Sequence, residues 1–252
     1  NRSPLYADDP GTMESHHRRN TPDPSGAKLV IFDWDGTLVD SRRVIVETMQ
    51  ATMAEAGFEP LPGEACQQVI GLGLDEAIRT LVPEADQADC ARLKAIYGRR
   101  FQGFGAADMP FFPGVSEGLE RLRREGHRLA VATGKSRRGL DRMLGEWGMH
   151  ETFHATRCAD ETASKPDPRM LRELLSDLGL GPHQAVFVGD TGFDMEMARR
   201  IGMPRIAVTY GVHGDDRLAP GEPTAWARDF PEVMGHLGLP ALEPASLEGY
   251  TK

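Results

Sequence analysis

Short apolar runs alternate with stretches of helical periodicity along most of the chain. Runs rich in aliphatic residues at 28–32, 128–132, 153–156, 185–188 and 205–209 predict five strands. Between them Val115, Leu119 and Leu122 share one helical face, as do Leu171, Leu174, Leu175 and Leu178, and later Ala198 with Ile201. Strand runs that stay apolar without alternating suit strands covered on both faces. The pattern therefore predicts a doubly wound α/β fold built on a parallel sheet.

The first connection breaks this rhythm. Residues 33–127 span 95 positions, whereas a whole βαβ unit takes about 30. The pattern inside is helical. Ile45, Met49, Met53 and Ala56 fall on one face of 41–57, and Leu93, Ile96, Tyr97, Phe101 and Phe104 share another. Shorter helices are expected over 63–70 and 74–82, separated by Gly71-Leu72-Gly73. We therefore expect an all-helical unit at 42–109, inserted into an α/β core made of 28–41 and 110–238. Such an insert would sit over the carboxyl ends of the strands, where open α/β sheets bind ligands. Residues 1–27, polar and aperiodic, predict a disordered leader, and 239–252 a loose tail.

Composition narrows the function classes. With 29 basic and 38 acidic residues the formal charge is −9 and the pI near 5.4. That balance argues against nucleic acid as a partner and against docking on an anionic membrane. No apolar run approaches the roughly 20 residues of a membrane span. The leader lacks the apolar stretch of a secretory signal. Cys66, Cys90 and Cys158 form no CxxC pair and are odd in number, which supports neither a disulfide framework nor a zinc site. A cytoplasmic location is expected.

Four strand ends carry polar chemistry. The first runs into Asp33-Trp34-Asp35-Gly36-Thr37, with two carboxylates at i and i+2 on the same side. Like charges so close call for a cation or a shared proton, although Asp-Gly is also a common surface turn. The fourth strand ends at Gly189-Asp190-Thr191, with Asp194 in the opening turn of a helix, where an acid also complements the helix dipole. If the two strand ends converge, Asp33 and Asp190 supply hard oxygen ligands to one divalent ion such as Mg²⁺. The second strand ends in Thr133-Gly134-Lys135-Ser136. That segment fits an anion site at a helix N-terminus, and equally a plain helix start capped by Ser136. Lys165, just before Pro166, is placed either to hold a negative oxygen or to lie in solvent. Together these groups are the inventory of phosphoryl transfer, whose catalysis is mostly positioning and charge neutralisation.

In this order Asp33-x-Asp35-Gly36-Thr37, Thr133, Lys165-Pro166 and Gly189-Asp190-Thr191-x-x-Asp194 resemble the four motifs of the haloacid dehalogenase superfamily. The helical insert resembles the cap of its phosphoglycolate phosphatase and β-phosphoglucomutase branch. The resemblance spans roughly 28–237 and implies a Rossmann-like core with an Mg²⁺ cofactor. It implies Asp33 as nucleophile, Asp35 as acid and base, and Thr133, the Gly134 N–H, Lys165 and Thr37 around the phosphoryl oxygens. It also implies metal ligation by Asp33, the Asp35 carbonyl, Asp190 and Asp194, the last directly or through water. Cap hinges are expected near 40–41 and 110–114. The implied reaction is hydrolysis of a small phosphorylated metabolite through an aspartyl-phosphate, with phosphoglycolate as first candidate.

Other readings stay open at this point. The catalytic residues suit a mutase as well, and nucleotides, sugar phosphates and pyrophosphate are alternative substrates. Asp35 argues against carbon–halogen cleavage, and Lys94 lies on an ordinary amphipathic helix, against Schiff-base chemistry. A non-catalytic protein on the same fold would be expected to lack one of the four motifs. Gly71-Leu72-Gly73 is either a substrate loop or a turn between helices. A monomer or homodimer is expected.

Overall fold

Six parallel strands lie in the order β3-β2-β1-β4-β5-β6 in the computed structural model, which describes residues 23–240. They are β1 (Leu29–Phe32), β2 (Arg128–Thr133), β3 (Ala155–Cys158), β4 (Ala185–Gly189), β5 (Arg205–Val208) and β6 (Ala225–Ala227). The chain builds outward from β1 through β2 to β3, then returns to the other side of β1 for β4, β5 and β6. The reversal falls between β1 and β4, which pair from Leu29↔Ala185 to Phe32↔Val188. Ligands bind doubly wound sheets at such a reversal.

Alternation within the strands feeds two cores. Val30, Phe32, Val131, Val186 and Val188 face α5 (Val115–Arg124), α6 (Arg137–Glu146) and α10 (Phe230–His236). Leu29, Ile31, Ala130 and Phe187 face α7 (Arg169–Leu178) and α8 (Gly192–Arg199). A third cluster belongs to α1 (Arg42–Glu55), α2 (Gly63–Gln67), α3 (Leu74–Leu81) and α4 (Gln87–Phe101), centred on Met53, Ile78 and Leu93. A short α9 (Asp215–Leu218) closes the β5–β6 connection. The two chain crossings between the inserted helices and the sheet are tied together. Asp40 N–H donates to Pro110 O at 2.8 Å, and Phe112 N–H donates to Leu38 O at 3.0 Å.

The structure corrects several expectations. The third strand lies at Ala155–Cys158, two residues beyond the expected 153–156. It is an edge strand, and its polar Thr156 and Arg157 disguised it; Arg157 instead pairs with Glu173 at 2.9 Å across the rim. The sixth strand was not expected at all. It is three residues long, sits at the opposite edge and leaves Trp226 38% exposed, so its apolar run, Ala225-Trp226-Ala227, is too short to stand out. The helix expected over 63–70 ends at Gln67, and Phe104 falls beyond α4 while still packing on the core. The expected leader and tail lie outside the described residues, except for 23–27 and 239–240. Among the described residues no helix is long and apolar enough to cross a membrane.

Phe230 anchors α10 on the sheet with its ring 6.0 Å from that of Phe32, and it is 1% exposed. Phe230→Ala should therefore cost about 3–5 kcal/mol of unfolding free energy by urea titration. A loss below about 1 kcal/mol would show that this contact does not carry the packing.

Candidate active site

Asp33 is the first residue past β1, and its N–H still follows the sheet, donating to Val188 O at 3.0 Å. Beyond it the chain folds into a tight turn in which Leu38 N–H donates to Trp34 O at 3.0 Å. Trp34 pins the turn from below, fully buried between the rings of Phe111 and Phe153 at 6.2 Å each. Gly36 holds φ +86°, and a Cβ there would collide with the Asp190 carboxylate. Only glycine permits both the left-handed backbone and that approach.

The motif residues converge on Lys165. Its Nζ lies 2.8 Å from Asp33 Oδ1 and 2.7 Å from Asp194 Oδ1, and all three side chains are at most 1% exposed. Asp33 Oδ1 also accepts from Trp34 N–H at 2.7 Å, whereas Asp33 Oδ2 is buried with no hydrogen-bond donor among the described residues. Thr191 caps α8 and, through N–H and Oγ1, donates to Asp194 Oδ2 at 3.0 and 2.8 Å. Asp190 accepts from Thr37 Oγ1 at 2.9 Å and from Val212 N–H at 2.8 Å. Thr37, expected on the phosphate, is fully buried and directs its hydroxyl at Asp190. Its carbonyl in turn accepts from Tyr210 OH at 2.9 Å.

Charge counting defines what this cluster lacks. Three carboxylates and one ammonium leave two formal negative charges in a fully buried space, a costly arrangement without further cations. Burial, then the Asp194 carboxylate, pushes Asp33 well above the usual carboxylate range. The same two causes push Asp190 up to about 7. Burial pulls Lys165 down, yet Asp194 and Asp33 outweigh it and hold the ammonium above its ordinary value. Carboxylate oxygens of Asp33, Asp190 and Asp194 lie within 4.8 Å of one another. An all-oxygen donor set with an orphaned Asp33 Oδ2 fits a small hard dication.

Asp35 stands apart from these three. Its carboxylate accepts from Ser41 Oγ at 2.7 Å and from Lys135 Nζ at 3.0 Å on both oxygens. The Asp35 carboxylate is not among the oxygens that gather from Asp33, Asp190 and Asp194, and the metal contact expected of this residue was from its backbone carbonyl. Lys135 and Ser41 were not anticipated. Lys135 directly follows Thr133-Gly134, and that position on the strand-end loop was the available signal. Thr133 is buried at the end of β2, its Oγ1 accepting from Lys135 N–H at 3.1 Å. Ser136 caps α6, accepting from Gly139 N–H at 3.2 Å.

Gly71-Leu72-Gly73 closes over this floor. A Cβ on Gly134 would strike the Leu72 carbonyl oxygen and lie 2.6 Å from that of Gly71. Gly73 N–H donates to Ser164 Oγ at 2.8 Å, one residue before Lys165. His213 accepts from Gly192 N–H through Nδ1 at 3.0 Å, so Nε2 carries the proton and reaches Gln68 O at 3.3 Å. A Cβ on Gly71 would lie 3.2 Å from the Thr191 side chain, so the loop meets the segments that follow β2, β3 and β4, while Gln68 meets the one after β5. Lys94, by contrast, is half exposed and pairs with Asp75 at 2.9 Å, remote from the site.

Comparison with known proteins agrees with this geometry. The family model for haloacid dehalogenase-like hydrolases matches residues 30–208. A probable phosphatase, IndB, of Dickeya dadantii is 36% identical over 82% of this chain and 92% of its own. A plasmid-borne phosphoglycolate phosphatase of Cupriavidus necator is 35% identical over 86% and 94%. The crystal structure of a predicted phosphoglycolate phosphatase from Haemophilus somnus superposes with a TM-score of 0.75 at 24% identity, covering 83% of this chain and 97% of that one. The match spans every strand-end motif that builds the Lys165 cluster, and the chain belongs to the haloacid dehalogenase-like hydrolase family as a phosphatase of the phosphoglycolate phosphatase-like kind.

Proposed function

We propose that this phosphatase hydrolyses a small phosphomonoester in two steps through Asp33, with Mg²⁺ as cofactor. The observation that carries the reading is the unpartnered Asp33 Oδ2, set beside Lys165 and two further carboxylates at the sheet's reversal. In the first step an Asp33 oxygen bonds to phosphorus as the ester P–O bond breaks, and Asp35 delivers a proton to the departing alkoxide. In the second, Asp35 takes a proton from water as it attacks phosphorus. The Asp33–phosphorus bond breaks, inorganic phosphate leaves and Asp33 is restored.

The other residues position and neutralise. Lys165 holds Asp33 Oδ1, so the carboxylate presents one fixed edge. Thr133 and the Gly134 N–H, at the end of β2, are placed to receive phosphoryl oxygens. Asp33, Asp190, Asp194 and the Asp35 carbonyl would hold Mg²⁺, which supplies charge neutralisation for the phosphoryl group. Ser41 and Lys135 fix the Asp35 carboxylate, and Ser41 lies where the chain leaves the core. Residues 42–109 act as a cap over 28–41 and 110–238, swinging on the paired crossings at 40–41 and 110–114. The loop 71–73 seals the site from water in the closed position. The three cysteines are unpaired, which suits a reducing cytoplasm. The relatives' names make phosphoglycolate the reference compound against which other phosphomonoesters are compared.

Asp33→Asn should lower phosphate release by roughly three orders of magnitude or more while leaving the thermal transition in place; turnover near the wild-type rate would remove the nucleophile assignment. A second test reads the metal without activity. Because Asp190 is raised to about 7 from an ordinary 3.8, proton uptake there favours the metal-free fold. That contribution is fully present below about pH 4 and is lost as pH rises through about 7. In chelator, the Tm of wild type minus that of Asp190→Asn should therefore fall across this window. Mg²⁺ should raise the wild-type Tm more at pH 8 than at pH 5. A pH-independent difference, or no response to Mg²⁺ at pH 8, would contradict the dication reading.

A further inference from the structure

We propose that the leaving-group end of the active-site cavity selects phosphomonoesters of apolar or aromatic alcohols that carry no second charge next to the ester oxygen. This rests on the phosphatase reading above and adds the substrate class. The cavity, about 240 Å³, starts at Asp33, Asp35 and Gly134 and runs beneath the inserted helices. Its roof is apolar. Ile45 and Met49 stand four residues apart on α1, and Tyr97 and Phe101 four apart on α4, their rings stacked 5.6 Å apart at 17°. Leu72 and Ile70 continue the apolar lining from the loop side.

The cations that reach the cavity are already occupied, with one exception at the rim. Lys135 contacts both Asp35 oxygens at 3.0 Å and lies 4.7 Å over the Phe101 ring. Arg142 donates to Phe104 O at 2.7 Å and pairs with Glu146 at 2.9 Å. Arg138 is exposed on α6 and forms no ion pair among the described residues. A carboxylate attached directly to the ester carbon, as in a two-carbon phospho-acid, would press an unpaired charge against the roof. An apolar or aromatic alcohol would instead displace water from Ile45, Met49 and Tyr97, gaining burial and ring contact. The Tyr97 hydroxyl makes no hydrogen bond among the described residues. Burial and the neighbouring Asp35 carboxylate hold its phenol un-ionised, so it offers a neutral donor to a polar atom on the leaving group.

The test measures kcat/KM of the full chain with Mg²⁺ for benzyl phosphate, methyl phosphate and phosphoglycolate. The proposal expects benzyl phosphate to be preferred over both by roughly ten-fold. Tyr97→Ala should reduce the benzyl-to-methyl ratio by about five-fold, a ratio taken within one sample and so insensitive to any misfolded fraction. Arg138→Ala should leave that ratio unchanged. A preference for phosphoglycolate that Arg138→Ala abolishes would overturn the proposal in favour of an anionic leaving group held at the rim. A flat profile, or a ratio indifferent to Tyr97→Ala, would overturn it as well. All three results would leave the phosphatase reading standing, whereas no phosphate release from any of these esters, nor from acetyl phosphate, would sink that reading too.

Discussion

One ammonium group organises the site. Lys165 Nζ is held between Asp33 and Asp194 with no exposure, and neither carboxylate has comparable relief from another cation among the described residues. Remove that charge and three buried carboxylates face one another in a low-dielectric space, which costs several kcal/mol at least. With it in place the cluster still carries two negative charges. A deficit of that size and donor type is what a divalent ion would balance, and it lies at the carboxyl ends of β1 and β4, where the sheet reverses.

The sheet topology makes the imbalance possible. Asp33 and Asp190 meet because β1 and β4 are adjacent at the chain reversal and end in register, with Asp33 N–H bonded to Val188 O. Glycine permits the final approach. Gly36 clears room for the Asp190 carboxylate, and Gly134 clears room for the carbonyls of the closing loop. Rigid strands thus fix the charged groups, while the inserted helices meet the loops around them through the carbonyls of Gln68, Gly71 and Leu72 and the Gly73 N–H.

Much of this was legible in the chain. Doubly buried strands left unbroken apolar runs, so β1, β2, β4 and β5 stood out, and the 95-residue first connection announced the inserted helices. The acids and Lys165 were legible because they follow those strands directly. What escaped did so for physical reasons. At the sheet edges one partner suffices and polar or exposed residues are tolerated, so Thr156 and Arg157 shifted the expected third strand by two residues and the three-residue β6 was too short to register. Thr37, Ser41 and Lys135 act by side-chain contacts across 153, 6 and 100 residues of sequence, and no local periodicity encodes such partners. The composition of the leaving-group cavity was equally hidden, because its roof is assembled from two helices whose apolar stripes also serve their own core.

The central claim is that Asp33 carries the phosphoryl group. Acid quench of the enzyme during turnover, followed by peptide mass spectrometry, tests it most directly. The account predicts that the peptide containing Asp33 gains the mass of one phosphoryl group, and that this gain needs Mg²⁺ and vanishes in Asp33→Asn. Steady phosphate release with no covalent adduct on that peptide, or with the adduct on another residue, would contradict it.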